Sequence, residues 1–334
     1  MISRRTFLRA ASRAGAAALV QFPTARAGAE PPPETTTIRL IQVPSICRSP
    51  QYVAEPLLRG EGFTDVKYVK KPGSAEVGPA VAAGEVDISM GFVGPLLTAI
   101  DQGQSLVVLG PGHVGCFELF GNERVRAIRD LKGKKVAIPA WGTSSQHTFV
   151  ASMVSYVGLD PRKDIDWVTT PVSESLRMFA DGKIDALIAL PPEPQELRAK
   201  KIGRVVVNSA VDQPWSQYFC CLVVANRDFV RRHPVAAKRA LRAILKATDV
   251  CALDPEAAAR TLVDRAFTER YDYALQAMRE IPYRKWREYD VEDTVRFYSL
   301  RLHEAGLLKS SPKKIIAQGT DWRFLNEIRK ELKG

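Results

Sequence analysis

Three hydroxyls in a row, Thr143-Ser144-Ser145, preceded by Trp141-Gly142 and followed by Gln146-His147, form a dense group of ligand-seeking side chains in this 334-residue chain. If a helix starts there, its first N–H groups lack intrahelical partners and its dipole favours negative charge, so the group suits an anion. The spacing of Thr143 and Gln146 also fits a capping box, in which one hydroxyl closes the helix while its neighbours remain free. His147, a lone imidazole, reads as a hydrogen-bond donor rather than a metal ligand. Three further stretches have the same character. Pro44 to Pro50 contains Ser45, Arg48 and Ser49. Ser49 before Pro50 reads as an N-cap with proline in the first turn, while Arg48 is either a two-pronged donor to an anion or a solvated cation beside a cap. Phe92-Val93-Gly94-Pro95 follows Gly91, and its glycines let backbone N–H groups approach a ligand. Pro191-Pro192-Glu193-Pro194 carries an acid that either meets a ligand donor or stabilises the helix after it.

Catalytic patterns are missing. There is no H-E-x-x-H, no G-x-S-x-G and no P-loop, and the four histidines are scattered. Gly110-Pro111-Gly112-His113-Val114-Gly115 matches G-x-G-x-x-G after a strand-like run, but the following Cys116 to Phe120 reads as another strand. A dinucleotide site needs a helix to begin in that turn. The five cysteines, Cys47, Cys116, Cys220, Cys221 and Cys251, form no C-x-x-C pair and are read as buried small apolar residues, with room for one disulfide and one odd thiol. No cofactor is expected.

The elements that would position these clusters are strands near 38–43, 67–69, 88–91, 106–109, 135–138, 165–168, 186–190 and 205–207. Helical patterns lie between them at 50–61, 75–83, 94–102, 145–157, 172–180 and 192–200. This alternation implies α/β units on a largely parallel sheet, with ligands beyond the carboxyl ends of the strands. One phrase occurs twice. Gly84-Glu85-Val86-Asp87 and Gly182-Lys183-Ile184-Asp185 each end a helix at glycine and open a buried strand, 98 positions apart. Strand, helix, strand, helix precedes both copies, so two similar lobes are expected. The runs 116–121 and 219–224 read as hinge strands joining lobe 1 (36–115 plus 222–334) to lobe 2 (122–218). Beyond Asn208 the pattern is helical, with Ala237, Leu241, Ile244, Leu245 and Thr248 on one face and Val295, Tyr298 and Leu302 on another.

The N-terminus reads as an export leader. Ser3-Arg4-Arg5-Thr6-Phe7-Leu8 is a twin-arginine signature, followed by a short apolar run and an Ala25-Arg26-Ala27 cleavage site. Removing residues 1–27 takes away five arginines and no acid, so the formal charge of +11 falls to +6. A mild positive field favours small anions. Basic residues interleaved with acids argue against nucleic acid as a partner.

The leader, the echoed phrase with Gly91-Phe92-Val93-Gly94-Pro95, and Leu131-Lys132-Gly133-Lys134-Lys135-Val136-Ala137 before the Thr/Ser-rich helix start together carry a family resemblance. The chain resembles the nitrate/sulfonate/taurine-type periplasmic substrate-binding proteins of ABC importers, a group that includes pyrimidine-precursor-binding and pyrimidine-synthase-like members. The resemblance covers residues 36–250 and, in general character, the helical end. It implies a type II periplasmic-binding-protein fold with two α/β lobes, two crossover strands and a helical C-terminal extension. It also implies a small, anionic ligand in the cleft, a sulfonate, nitrate or related organic acid, and delivery to an inner-membrane permease and, through it, an ATPase. Carried onto this chain, Ser45 to Ser49, Phe92 to Gly94, Thr143 to Ser145 and Pro191 to Glu193 would line the cleft. The family often has tryptophan-glutamate-proline at the last position, and Pro191-Pro192-Glu193 departs from it. Conversion of a thiamin-pathway pyrimidine, or another exported enzyme on the same fold, is the competing expectation.

Overall fold

The computed structural model describes residues 30–332. The expected leader lies outside them. Among the described residues, ten strands fall into two lobes. The first contains β1 (Thr37–Gln42), β2 (Asp65–Lys70), β3 (Ile88–Phe92), β4 (Leu106–Pro111) and β10 (Cys221–Asn226); the second contains β5 (Glu118–Gly121), β6 (Lys135–Ile138), β7 (Asp166–Thr169), β8 (Ala186–Ala189) and β9 (Arg204–Asn208). The second lobe's sheet runs β7-β6-β8-β5-β9. The first lobe repeats that order as β2-β1 beside β3-β10-β4. In each, one strand is antiparallel to its neighbours: β5 between β8 and β9, and β10 between β3 and β4. Each inserted strand comes from beyond a crossover, so either lobe is completed by chain that has left the other.

The echoed phrase builds this junction. Gly84 and Gly182 take the left-handed backbone, at φ +71° and +67°, which ends the helix before them at no steric cost. The aspartate that follows fixes three chain segments at once. Asp87 accepts from the Arg39 amide at 2.8 Å, donates its own amide to the Arg39 carbonyl, and accepts from the Asn226 amide at its carbonyl. Asp185 does the same, with its carboxylate on the Lys135 amide at 3.0 Å and its backbone on Lys135 and Asn122. Aspartate recurs because a carboxylate is the short acceptor that locks the echoed strand to the first strand of its lobe.

The connecting helices are α1 (Ser49–Val53), α2 (Glu55–Gly60), α3 (Val77–Ala82), α4 (Val93–Asp101), α5 (Ser145–Tyr156), α6 (Val172–Ala180) and α7 (Glu193–Ala199). The single helix expected over 50–61 is two. Pro56 has no N–H to give the preceding turn and its ring crowds the carbonyl four residues back, so the helix breaks at Ala54. Residues 74–76 form a 3-10 turn rather than the start of an α-helix.

The helical end comprises α8 (Arg227–Arg232), α9 (Pro234–Leu253), α10 (Pro255–Asp264), α11 (Tyr271–Glu280), α12 (Val291–Glu304), α13 (Pro312–Gly319) and α14 (Arg323–Glu331). The two apolar faces read from periodicity, on α9 and α12, are buried. α9 packs on α1 and α2, whereas α12 touches both α4 and α5. Among the described residues, no helix is long and apolar enough to cross a membrane.

The glycine pattern at 110–115 serves a crossover. No helix follows it. The chain passes from β4 to β5 through Gly112 to Phe117 and meets the return crossover at a single antiparallel bridge, Val114 to Phe219. A Cβ on Gly112 would stand 2.7 Å from the Cys221 carbonyl oxygen, and one on Gly115 2.6 Å from Ala210. Glycine lets the two crossovers lie against each other, which accounts for the pattern without a nucleotide.

Candidate functional site

The lobes touch where α4 and α5 begin. Phe92, Val93 and Gly94 are buried there, and a Cβ on Gly94 would lie 2.3 Å from Thr148 Oγ1 and 2.6 Å from Thr148 Cβ. Phe117 stacks on Phe149 at 4.4 Å between ring centres and lies 5.0 Å from Phe92. The void left among these residues, Ser145 and Tyr298 is about 10 Å³, room for about one water. Of the expected cleft residues, then, Phe92 to Gly94 and Ser145 form a closed seam between the lobes.

The hydroxyl-rich helix start is capped one residue later than its spacing suggests. Ser144, not Thr143, is the N-cap: its Oγ accepts from the His147 amide at 3.2 Å and donates to the Ala140 carbonyl at 2.6 Å. Ser145 donates to Gln146 Oε1, and Thr143 is exposed. Three adjacent hydroxyls offer the backbone competing caps, and the one whose φ/ψ is extended takes the role. His147 is fully buried. Its Nδ1 accepts from the Gly142 amide at 3.0 Å, its Nε2 has no partner, and Trp141 and Trp167 lie 4.2 and 4.8 Å from the ring. Trp141 itself is 48% exposed.

Burial pushes the His147 imidazole down to about 4. The folded chain therefore resists a proton that the unfolded chain accepts near 6.5, so this stability is complete above about 6.5 and is lost as pH falls toward 4. The full difference is about 3 kcal/mol. We expect His147→Gln, which keeps an acceptor for Gly142, to remove that acid slope when the two unfolding free energies are subtracted at each pH. Equal slopes would show that His147 protonates freely. Subtraction is needed because Glu118 and Glu193, both raised to about 7 by burial, stabilise the fold in the opposite direction, as pH falls from about 7 toward the ordinary carboxylate range.

Arg48 is 1% exposed. Its Nε donates to the Met90 carbonyl at 2.9 Å and its Nη1 to Ser74 Oγ at 3.2 Å, with the guanidinium 5.2 Å from the centre of the Phe92 ring. Nη2 has no partner, and among the described residues no carboxylate pairs with this cation. Burying an unpaired charge is costly. Ser49 is the first residue of α1 rather than its cap, and its hydroxyl turns back to the Ile46 carbonyl. Ser45 is buried at the edge of a larger space.

That space is a cavity of about 730 Å³. It joins the end of β1, at Pro44 to Ile46, to the end of β8, at Pro192, across the lobes. Its far wall is the α10–α11 turn, with Phe267, Thr268, Glu269, Arg270 and Tyr273, and Glu196 of α7 also faces it. Strand-end logic does not reach this wall. Its only sequence signal is the gap between two helical periodicities at 265–270. Phe267 is held by stacking on Tyr52 at 3.9 Å, which fixes the turn over the first lobe.

Glu193 stands apart from the cavity. Its Oε2 accepts from the Leu190 amide at 2.9 Å, and its neighbours include Pro139, Gln146 and Ser175 of the second lobe. Next to it Arg198 donates to Glu118 at 2.8 Å and to Glu280 at 2.7 Å. Gln195 donates to the same Glu280 at 3.0 Å. These bonds tie the second lobe to α11, the helix that carries the cavity's wall.

The cysteines are buried, as expected, but their reading as isolated apolar residues is corrected. All five are buried and free, but three are not isolated. Cys116, Cys220 and Cys221 gather with His113, their ligand atoms all within 4.8 Å of one another. His113-x-x-Cys116 is itself a ligand spacing, and it was legible beside the adjacent pair Cys220-Cys221.

The architecture matches solved structures along nearly the whole chain. The periplasmic nitrate-binding protein of Synechocystis PCC 6803 superposes with a TM-score of 0.74 at 17% identity, covering 91% of this chain and 90% of that one. The alkanesulfonate-binding protein of Xanthomonas axonopodis pv. citri, solved with MOPS, gives 0.68 at 17% identity, covering 86% and 99%. These likenesses establish the periplasmic-binding-protein fold. By sequence, a 4-amino-5-hydroxymethyl-2-methylpyrimidine phosphate synthase of Saccharomyces cerevisiae is 23% identical over 239 residues, 67% of this chain and 66% of the yeast protein. A bicarbonate-binding protein of Synechococcus elongatus is 29% identical over 94 residues, 28% of this chain and 20% of that protein. The chain thus spans less than two thirds of the length of these relatives. The NMT1-like family profile matches residues 31–264, both lobes and the start of the helical end, and the chain belongs to that family.

Proposed function

We propose that the chain is the extracytoplasmic solute-binding component of an ABC importer, exported by the twin-arginine route to the periplasm, and that its lobes close on a small organic acid. The observation that carries this reading is the cavity of about 730 Å³ where the β1 and β8 ends face each other, the place where α/β sheets take ligands. Its size lies within the ~300–1,000 Å³ of small-molecule sites and exceeds what nitrate or bicarbonate needs. Phe267 and Tyr273 offer apolar faces, and Glu196 and Glu269 select a ligand that also carries hydrogen-bond donors. Arg48 does not line the cavity in this conformation, but it has an open Nη2 and stands three residues beyond Ser45 at the cavity edge, and we assign it the counter-charge for the acid group. Closure stabilises the bound form by linkage and involves no chemistry. A nitrogen heterocycle of the pyrimidine kind is the second reading, favoured by the same two carboxylates beside two aromatic rings. The permease that receives the solute, and its ATPase beyond, are the expected partners.

A thermal-shift panel on the mature chain, from Gly28, tests this. Sulfonates and carboxylates with an organic body should raise the melting temperature, with stabilisation reaching about 2.7 kcal/mol at a hundredfold excess over Kd. Nitrate and bicarbonate should leave it unchanged. A response to pyrimidines alone selects the second reading, and no response from refolded, ligand-stripped protein overturns both.

A further inference from the structure

The crossovers that join the lobes carry a cluster no solute-binding role explains. His113 and Cys116 lie on the outgoing crossover, and Cys220 and Cys221 at the end of the return one. All four are at least nine-tenths buried. Cys220 Sγ is 3.7 Å from Cys221 Sγ, 3.5 Å from His113 Nδ1 and 3.1 Å from Cys116 Sγ. In a tetrahedral zinc site, with Zn–S of about 2.3 Å and Zn–N of about 2.0–2.1 Å, ligand atoms stand about 3.5–3.8 Å apart. Two of these three separations already have that length, and the third needs the thiols of Cys116 and Cys220 to spread by about 0.6 Å.

The histidine is oriented as a ligand. Its Nε2 lies 2.6 Å from the Cys47 carbonyl oxygen, the shorter of its two carbonyl contacts and so the one that takes the proton, and Nδ1, 3.2 Å from the Val114 carbonyl and 3.5 Å from Cys220 Sγ, is the ring nitrogen on the sulfur side. Metal-bound imidazoles are held in just this way, with the remote N–H on a backbone carbonyl or carboxylate. Three sulfurs and one imidazole form a Cys₃His donor set, which is soft, selects zinc among common divalent ions and leaves no open position for catalysis.

We propose that His113 Nδ1 and the thiolates of Cys116, Cys220 and Cys221 bind one zinc ion, which ties the two crossovers together. Binding displaces the three thiol protons and leaves the site with a net charge of −1, so affinity falls with falling pH. Because the donors are enclosed, the ion enters during folding. A chain exported already folded would be loaded in the cytosol, where thiols stay reduced. The consequence is mechanical. The ion would add to the backbone bonds that already join the crossovers, the Val114–Phe219 bridge and the Gly112 amide on the Cys221 carbonyl at 2.8 Å, and so would stiffen the pivot about which the lobes move. This inference stands independently of the ligand, since it concerns metal content and not solute affinity.

The test uses the full mature chain, purified under reducing conditions and analysed for metal by mass spectrometry, then stripped by a chelator and titrated with Co²⁺. The expected result is one equivalent of zinc as isolated, and a thiolate-to-cobalt charge-transfer band that saturates at one equivalent. A fall in melting temperature should accompany stripping. Cys220→Ser should lose the band, and Cys251→Ser, outside the cluster, should keep it. If Cys220→Ser fails to fold, the Co²⁺ spectrum of the unmodified chain still decides. A reduced, folded chain that gives no charge-transfer band overturns the proposal. So does a band that survives Cys220→Ser, or a chain isolated with Cys116 and Cys220 joined as a disulfide.

Discussion

Alanine at Gly94 is expected to abolish tight ligand binding while leaving each lobe folded. The added methyl would stand 2.3 Å from Thr148 Oγ1 and 2.6 Å from its Cβ, and Thr148 cannot turn away. Its hydroxyl is bonded to the Ser144 and Ser145 carbonyls at 3.1 and 3.2 Å, and its Cβ is fixed by the α5 backbone. The clash lies across the seam between lobes, so opening relieves it without disturbing either core. A protein held open loses the free energy of closure from its binding, and we expect affinity to fall by at least about 100-fold, roughly 3 kcal/mol. Calorimetric titration with the best ligand of the panel reads this directly. Thr148→Gly in the Gly94→Ala background removes the opposing Cβ and should restore most of the affinity, at the usual helix cost of about 1 kcal/mol. Loss of affinity without that rescue would mean that Gly94 acts through something other than the seam.

Replacing Arg48 by methionine is expected to separate stability from function. The guanidinium is buried with one nitrogen unpartnered and, among the described residues, no carboxylate beside it, so the free protein bears a buried charge without a counter-ion. Methionine fills similar space without charge, although it forfeits the bonds to the Met90 carbonyl and Ser74. Losing those bonds costs about 1–3 kcal/mol, against a desolvation penalty of several kcal/mol relieved. We therefore expect Arg48→Met to unfold at the same temperature as the parent or higher when ligand-free, and to lose all stabilisation by organic acids. A marked fall in ligand-free stability would make Arg48 a structural residue and move the counter-charge elsewhere.

Much of this was legible in the sequence because the determinants are local. The periodicities of α9 and α12, the strand runs from Ile38 to Val207 and the glycine-aspartate echo each depend on neighbours within one or two turns. The Asp87 and Asp185 junctions show why an echo carries architecture: a short acceptor after a left-handed glycine can reach only the strand beside it. What the sequence hid depends on distance along the chain or on competition between neighbours. Ser144 and Thr143 are equally good caps on paper, and only the backbone angle at Ser144 decides. The cavity wall at Phe267 to Tyr273 is brought to Ser45 by the packing of α10 on α1, more than 200 residues away. Cys116 and Cys220 are 104 positions apart, and the reading of each as a lone apolar thiol overlooks His113 three residues ahead of the pair's first member. Arg48 reads equally as a donor to an anion and as a solvated cation, because nothing in Ser45 to Pro50 reveals that Met90 and Ser74 will enclose it.

Small-angle X-ray scattering on the mature chain, with and without the best ligand of the thermal panel, tests the central claim of binding by closure most directly. The account predicts a ligand-free form more open than the structure described here, a fall in radius of gyration on adding ligand, and a bound profile that fits the closed seam at Gly94 and Thr148. Gly94→Ala should stay open at the same ligand concentration. A ligand that raises the melting temperature while the scattering of the parent does not change, or that closes the Gly94→Ala protein as readily, would contradict it.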